Sequence, residues 1–388
     1  MAFTDAQWQS LAIVPHFTAA LSMAGDAWIL FDILWRRKKT NKLPLTSYHR
    51  IIMFMSIWDF IVISFGKFPA SWAMPADTPN VYYASGNRQT CTMQGFFIQF
   101  SLIVPMYNAI TALYYLLVVH YGLTNGDIRH KYEKWMHIFP FAIASSFAIV
   151  GLVPSMLLYS TSTMWCWINA EPKGCIQSYE GEGPTTCTRG DNAYIYRLAL
   201  YYCPIWVCII FATISMGVIY MGVKATYSRS RIFQRTGSGR PANRRDDQLK
   251  QIAKQSFFYI GGFLLVWTFP TLNRVLAFFD IKIYALTLLH SIFSPLQGFV
   301  NFIVYMRPRL MQHIEQQQQS KKTSTLRASM TFLTFQTEKK EQGVFKGNDA
   351  SNENAKADKF VEDTLEDQNS NSEEGDAEDQ RLTEDYGA

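Results

Sequence analysis

Ionisable side chains lie inside several long apolar stretches of this 388-residue sequence. These residues are Asp26, Asp32, Asp59, Lys67, Arg197 and Arg274. A charge in the middle of a bilayer costs a few kcal/mol even on lenient insertion scales, so each one is a candidate functional residue. Paired carboxylates could serve an intramembrane enzyme, but the sequence has no Gly-x-Gly-Asp, His-Glu-x-x-His or Gly-x-Ser-x-Gly segment. We therefore expect no enzymatic activity, no metal and no cofactor.

The outer members of this set could bind a ligand. Lys67, Arg197 and Arg274 fall in the outer halves of their stretches, and three cations favour an anionic or strongly polar ligand. The predicted ligand-binding residues are Lys67, Asn108, Arg197, Asn273 and Arg274. Other interpretations remain open. Lys67 and Arg197 could extend to the outer interface, and Arg274 could pair with Asp280.

The inner members could form a polar switch. Asp59 lies about two helical turns above the inner face, at a depth similar to that of Ser294 and Asn301 in the last apolar stretch. A hydrogen-bonded cluster of these three residues would suit a core with two stable arrangements. They could equally be simple contacts that hold helices together.

A proline and a tryptophan mark a possible hinge in the sixth apolar stretch. Pro270 removes a backbone hydrogen bond, and Trp267 precedes it by three residues. A long basic loop leads into this stretch, which is the arrangement expected if its inner end must swing.

Seven windows are long and apolar enough to cross about 30 Å of hydrocarbon as helices. We place them at Leu11–Trp35, Ile51–Ala73, Gly95–Val119, Trp135–Leu158, Ala193–Met221, Ser256–Phe279 and Tyr284–Met306. The predicted fold is an all-α membrane protein, a bundle of seven transmembrane helices.

The distribution of Lys and Arg predicts the orientation of the bundle. Alternate loops are basic, and basic loops stay in the cytoplasm. This places residues 1–10 outside the cell as a short N-terminus and the tail inside, most simply in the plasma membrane. The positive charge should face anionic membrane lipid or an acidic partner, and we expect no nucleic acid.

The chain after the short N-terminus divides into three predicted parts. The seven-helix domain covers 11–306, and 307–319 forms a short amphipathic juxtamembrane helix. Residues 320–388 are polar and acidic with few aromatics, so we expect a disordered cytoplasmic tail.

Four cysteines lie on the side opposite the basic loops. They are Cys91, Cys166, Cys175 and Cys187. An even number of cysteines on an oxidising face predicts two disulfides, and three pairings are possible.

Two segments carry a family likeness. Trp267-Thr-Phe-Pro270-Thr-Leu-Asn273-Arg274 resembles the sixth span of G-protein-coupled receptors, and Ser294-Pro295-Leu-Gln297-Gly298-Phe-Val-Asn301-Phe-Ile-Val-Tyr305 resembles the seventh. Cys166-Trp167, with Cys91 opening the third span, is similar to the disulfide pair of these receptors. The resemblance covers Leu11 to about Gln319 and is to the cyclic-AMP-receptor-like branch, with secretin-like affinities.

The resemblance implies roles for individual residues. It implies a Cys91–Cys166 disulfide, which leaves Cys175 and Cys187 as the second pair. The implied switch residues are Asp59, Trp267, Pro270, Ser294, Asn301 and Tyr305. The implied G-protein-facing residues are Lys250, Lys254, Arg307 and Arg309.

Three features of the sequence differ from the patterns of related receptors and exclude particular branches or ligands. Span three ends in Leu116-Leu-Val-Val-His120-Tyr121 without an acidic-Arg-aromatic triplet, so the chain is not of the rhodopsin-like branch. The N-terminus is too short for a hormone-binding ectodomain, and the seventh span lacks the lysine that a retinal Schiff base needs.

Two functions follow from these observations. As a receptor, the chain would sense a small extracellular ligand and promote nucleotide exchange on a heterotrimeric G protein. Tail residues from Ser320 to Thr334 could be phosphorylated to attract a desensitising partner, or they could be ordinary tail residues. As a transporter or channel, it would use the intramembrane charges as a pathway.

Overall fold

The computed structural model describes most of the chain up to residue 344. The described residues are 3–39, 45–78, 81–152, 159–161, 165–170, 192–235, 244–279, 281 and 283–344. Everything reported below concerns these residues.

Helices make up nearly all of the described structure. The α-helices are α1 (Asp5–Lys39), α2 (Ser47–Val62), α3 (Arg88–Phe100), α4 (Ile103–Val119), α5 (Asn125–Lys131), α6 (Glu133–Val150), α7 (Ala193–Arg197), α8 (Cys203–Arg235), α9 (Arg244–Phe278), α10 (Tyr284–Phe293) and α11 (Gln297–Val344). Two π-helical turns, Ile63–Lys67 and Leu198–Tyr202, follow α2 and α7, and Ala70–Ala73 is a 3₁₀ turn. Strands β1 (Tyr159–Thr161) and β2 (Cys166–Ile168) pair antiparallel, with Ser160 opposite Trp167.

The long apolar helices confirm an all-α membrane protein. Five described helices could cross a membrane, and the bent pair α10 and α11 could form a sixth span. Their bounds are Asp5–Lys39, Ser47–Lys67, Arg88–Val119, Ile195–Ala225 and Gln251–Ala277. Helix α6 lies where we predict the fourth span, but 153–158 fall outside the described residues. The count of seven therefore remains a prediction.

Helix α11 extends into the segment that we predict to be a disordered tail. The chain divides into two compact units, Met1–Tyr305 and Met306–Ala388. We predict disorder from Ser320 onward, whereas α11 continues through Val344. The composition used for that prediction averages over the whole acidic tail, whereas 320–344 carries five Lys and Arg against two Glu and so lacks the acidic excess of the rest. The predicted domain boundaries otherwise stay predictions.

Helix α4 runs through the centre of the first unit, packing against α2, α6, α8 and α9. Helices α1 and α11 approach each other closely through glycine. A Cβ atom at Gly25 would lie 3.0 Å from the Gly298 carbonyl oxygen and 3.0 Å from the Phe299 Cα. Any larger residue at this point would push the two helices apart.

An ion pair joins the starts of α2 and α6 on the side of the basic loops. Arg50 Nη2 donates to Glu133 Oε2 at 2.6 Å, and Ser47 Oγ donates to the same oxygen at 2.7 Å. Burial acts to raise the pKa of Glu133, but the hydrogen bonds from Arg50 and Ser47 outweigh it and hold this pKa below its ordinary value. The pair is therefore ionised at neutral pH.

Replacing Glu133 tests this pair. We expect Glu133→Gln to lower the free energy of unfolding by about 2 kcal/mol at neutral pH, because two charge-assisted hydrogen bonds are weakened. The folded pKa is depressed, so this stabilisation is present above the ordinary carboxyl pKa of about 4 and is lost as the pH falls through the folded pKa. Thermal unfolding in detergent at neutral pH and at ~pH 3 measures both effects.

The exposed carboxylate Asp77 provides a control, and Asp77→Asn should leave stability unchanged. A difference between Glu133→Gln and the native protein that persists at acid pH would contradict the ion-pair explanation.

Candidate functional site

A disulfide fixes the β-hairpin to the outer end of α3. Cys91 and Cys166 are bonded with their Cα atoms 5.2 Å apart, and both are buried. This confirms the bridge that the family resemblance implies. The Cys166 amide also donates to Gln94 Oε1 at 2.8 Å, so α3 holds β2 twice. Cys175 and Cys187 lie outside the described residues.

Two buried glutamines of α3 satisfy backbone groups left open near the π turns. Gln94 Nε2 donates to the carbonyls of Gly66 at 3.0 Å and Ala70 at 2.8 Å. Gln99 Nε2 donates to the Leu200 carbonyl at 2.8 Å, and Gln99 Oε1 accepts from Trp167 Nε1 at 3.0 Å. The Leu200 carbonyl is free because Pro204, four residues later, has no N–H.

An arginine pair lies beneath the hairpin. The Arg274 guanidinium stands 5.8 Å from the Trp167 ring centroid and 5.0 Å from that of Tyr202. Arg197 is close enough to interact electrostatically with Arg274 and Tyr202. Within the described ranges neither arginine forms an ion pair, and the buried Nε of Arg274 has no hydrogen-bond partner. An anion would balance these two like charges, which have no counter-ion among the described residues.

Polar residues of α9 and α10 continue this site. Asn273 Nδ2 and His290 Nδ1 are hydrogen-bonded at 2.9 Å, and Thr287 Oγ1 donates to Asn273 Oδ1 at 3.4 Å. The Trp165 ring packs edge-on against His290 at 5.9 Å. The predicted ligand residues Arg197, Asn273 and Arg274 are thus brought to one end of the bundle, next to aromatic rings from the hairpin and α8. Asp280, the alternative partner of Arg274, is not described.

Lys67 and Asn108 have other positions. Lys67 is only 5% exposed, so it does not extend to the outer interface. Its Nζ lies 5.9 Å from the Trp267 ring centroid. Asn108 is buried and donates to the Val104 carbonyl of its own helix at 3.1 Å. The two residues lie in the core and make none of the contacts that hold the arginine pair.

The break between α10 and α11 forms a polar junction with α1 and the first π turn. Lys67 Nζ donates to the Ser294 carbonyl oxygen at 2.5 Å. The Gly298 amide, which would bond to that carbonyl in a continuous helix, instead donates to Ser22 Oγ at 2.8 Å. Both backbone groups freed by the break are therefore satisfied by side chains of other elements.

Two buried carboxyl groups lie beside this junction. Asp26 is fully buried and Asp59 is 2% exposed, and the two side chains interact with each other. A Cβ atom at Gly298 would overlap the Asp26 carboxyl group, so only glycine fits there. We predict a cluster of Asp59, Ser294 and Asn301. The structure places all three in the core, but Asn301 bonds to Gln297 at 2.9 Å and to Met55 Sδ at 3.8 Å.

The inner end carries hydrogen-bonded tyrosines. Tyr48 donates to the Tyr259 hydroxyl at 3.1 Å and so joins α2 to α9. Tyr305, a predicted switch residue, donates to Asp32 Oδ2 at 2.7 Å, and Arg36 Nε pairs with the same carboxylate at 3.2 Å. The intramembrane charge of Asp32 is thus neutralised within reach of the inner face.

The remaining predicted residues are distributed along α9 and α11. Trp267 is buried against Tyr201, with ring centroids 6.2 Å apart, and Pro270 lies inside α9. Lys254 is exposed on α9, and Lys250 belongs to the same helix. Arg309 donates to Met306 Sδ at 3.7 Å, and Arg307 lies on α11. The switch and G-protein roles stay predictions.

The sequence analysis missed Gln94, Gln99, Ser22 and the two π turns. A signal was present, since Pro69, Pro204 and Pro295 each remove a backbone donor inside an apolar stretch. Buried amides and hydroxyls on neighbouring stretches are the groups that must compensate.

Replacing Lys67 tests the junction. We expect Lys67→Met to lower the free energy of unfolding by about 3 kcal/mol, because it leaves the Ser294 carbonyl without a partner and removes the cation that interacts with Asp59. Lys224→Met, which removes an exposed lysine of α8, is the matched control and should have no effect. Thermal unfolding in detergent compares the two. Equal stability of the two variants would show that Lys67 does not stabilise the break between α10 and α11.

The comparisons with known proteins agree with this architecture. Residues 84–342 match the model of a family described as slime mold cyclic AMP receptor. The crystal structure of squid rhodopsin resembles this chain with a TM-score of 0.51 and 17% identity, covering 81% of this chain and 86% of that one. This second likeness concerns the fold alone. A search of curated protein sequences finds none that matches. Because the family match spans well over half of the chain, the protein belongs to the slime mold cyclic AMP receptor family of G-protein-coupled receptors.

Proposed function

We propose that this receptor binds a small anionic ligand from outside, of the cyclic AMP type, and promotes nucleotide exchange on a heterotrimeric G protein inside. The observation that carries the proposal is the arginine pair, Arg197 and Arg274, which lacks a counter-ion among the described residues. A phosphodiester would supply that negative charge. The family name supports a cyclic nucleotide as the source of the phosphodiester.

Aromatic rings around the pair suit the rest of such a ligand. Trp167 and Tyr202 face Arg274, and Trp165 packs against His290. A nucleobase gains about 1–3 kcal/mol by stacking on an aromatic side chain. Asn273, His290 and Thr287 supply the polar groups that could fix its orientation.

A chain of contacts supports transmission to the inner face. Arg274 and Trp267 are both on α9, about two helical turns apart. Trp267 packs near Lys67, which holds the break between α10 and α11. A ligand that pulls on Arg274 would shift α9 and so favour one arrangement of this core over another.

The remaining parts of the proposal concern orientation and partners. Arg50 and the basic loops would face the cytoplasm and anionic lipid, with the N-terminus outside and the protein in the plasma membrane. Lys250, Lys254, Arg307 and Arg309 would face the G protein. Thr323, Ser324 and Thr325 would be phosphorylated to recruit a desensitising partner. A transporter that uses the buried charges as its pathway is the alternative, and it would act without a G protein.

Replacing the arginines tests the ligand site. We expect Arg274→Gln and Arg197→Gln each to weaken cyclic AMP binding about tenfold to a hundredfold, since each removes a charge-assisted contact worth ~1.5–3 kcal/mol. Equilibrium binding of labelled cyclic AMP to membranes measures this. Arg88→Gln removes an exposed arginine of the same outer surface and should bind normally. Loss of binding in the control alone would place the anion site elsewhere.

Reversing charge on α9 tests coupling. We expect the Lys250→Glu/Lys254→Glu double variant to abolish nucleotide exchange on a panel of G proteins while leaving cyclic AMP binding intact. Lys38→Glu/Lys39→Glu makes the same charge change at the inner end of α1 and should retain exchange. No exchange by the native protein with any G protein would favour transport, which uptake by reconstituted vesicles would then measure.

A further inference from the structure

The two buried carboxyl groups beside the helix break have an unusual environment. Asp26 comes from α1 and Asp59 from α2, and together they are almost completely withdrawn from solvent. Among the described residues, the side chains that are close enough to share a hydrogen bond with the Asp26 carboxyl group are those of Ser56 and Asp59. Two carboxylates in contact inside an apolar bundle cannot both be ionised, because each charge opposes the other without water to screen it.

Asp26 and Asp59 have charged and polar neighbours on four elements. Lys67 is the cation that interacts with Asp59, and it reaches the pair from the first π turn. On α10, His290 interacts with Lys67 and Arg274 and is held by Asn273. On α11 the nearby groups are uncharged: Gly298, Gln297 and Asn301. Farther along α1, Asp32 is neutralised by Arg36 and Tyr305. One ammonium therefore serves two carboxyl groups.

The Oδ2 atom of Asp59 marks an incomplete hydrogen-bond network at this pair, because it is buried and has no partner among the described residues. Ser56 is fully buried beside Asp26, close enough for its hydroxyl to donate to that carboxyl group. A hydrogen atom placed between the two carboxyl groups would complete the network, since it would let one carboxylic acid donate to the other carboxylate.

We propose that Asp26 and Asp59 form a proton-binding site in which a single proton is shared between the two carboxyl groups. With the proton bound, one carboxylate balances the ammonium of Lys67, and the junction is electrically neutral. When the proton leaves, a second negative charge draws Lys67 away from the Ser294 carbonyl and weakens the bond that holds α10 to the first π turn. The proton is thus a ligand of the core, separate from the anion bound at the arginine pair.

Infrared spectroscopy tests the site without any ligand or G protein. A carboxylic acid has a C=O stretching band, apart from the amide bands, that shifts in heavy water. We expect the purified native protein to show this band at neutral pH and Asp26→Asn to lose it, because the remaining carboxyl group, Asp59, is the one that interacts with Lys67. In Lys67→Met the band should double, since no cation remains to hold a carboxylate. Glu133→Gln alters an ionised carboxylate and should keep the native band.

A second measurement uses stability. Below the pH at which the proton leaves and above the ordinary carboxyl pKa of about 4, the folded protein binds one proton more than the unfolded chain. The unfolding equilibrium constant should therefore rise about tenfold more per pH unit in the native protein than in Asp26→Asn. A native protein without the band at neutral pH would overturn the proposal. So would a band that persists in Asp26→Asn, or equal pH slopes in the native protein and Asp26→Asn.

Discussion

The hydrogen bond from Lys67 to the Ser294 carbonyl is the contact on which the core is built. Lipid offers no hydrogen-bond partner to a broken helix, so each freed backbone group must be satisfied from within the bundle. At the break between α10 and α11 the carbonyl takes Lys67 and the Gly298 amide takes Ser22. This requirement explains why α1 carries a serine at that level and why glycine faces glycine where α1 meets α11. It also explains how a lysine can be kept inside the bundle.

The same constraint shapes the outer end. Pro204 leaves the Leu200 carbonyl open, and Gln99 of α3 closes it while its other amide atom holds Trp167. Gln94 repeats this arrangement between the first π turn and the hairpin. The aromatic wall next to Arg274 is therefore positioned by side chains whose first task is to satisfy backbone groups. π turns of this kind are common at functional sites because they redirect the side chains that follow.

Sequence patterns were sufficient for the membrane class and for five of the apolar spans, because transfer into lipid depends on composition over about 20 residues. Family resemblance supplied the Cys91–Cys166 bridge, which residue counting left open. Spacing could not reveal that Lys67 turns inward to a carbonyl, because that depends on a one-residue π insertion. Nor could it separate Asn108, which folds back on its own helix, from Asn273, which joins the site. The tail was treated as one acidic segment, although 320–344, through which α11 continues, carries more Lys and Arg than Asp and Glu.

The contacts that α2 makes at the inner end of the bundle differ in strength. Helix α6 is held to α2 by the ion pair of Arg50 and Glu133, whereas α9 is held to α2 by one neutral hydrogen bond between Tyr48 and Tyr259. A neutral hydrogen bond contributes about 1 kcal/mol, and a charge-assisted one about twice as much. Coupling between sites in proteins is typically about 1–3 kcal/mol. A ligand acting with that energy could break the hydrogen bond between Tyr48 and Tyr259 while the starts of α2 and α6 stay joined. The inner end of α9 is also held by Gln255 Nε2, which donates to the Val304 carbonyl at 2.8 Å, so a displacement of α9 must break that contact as well.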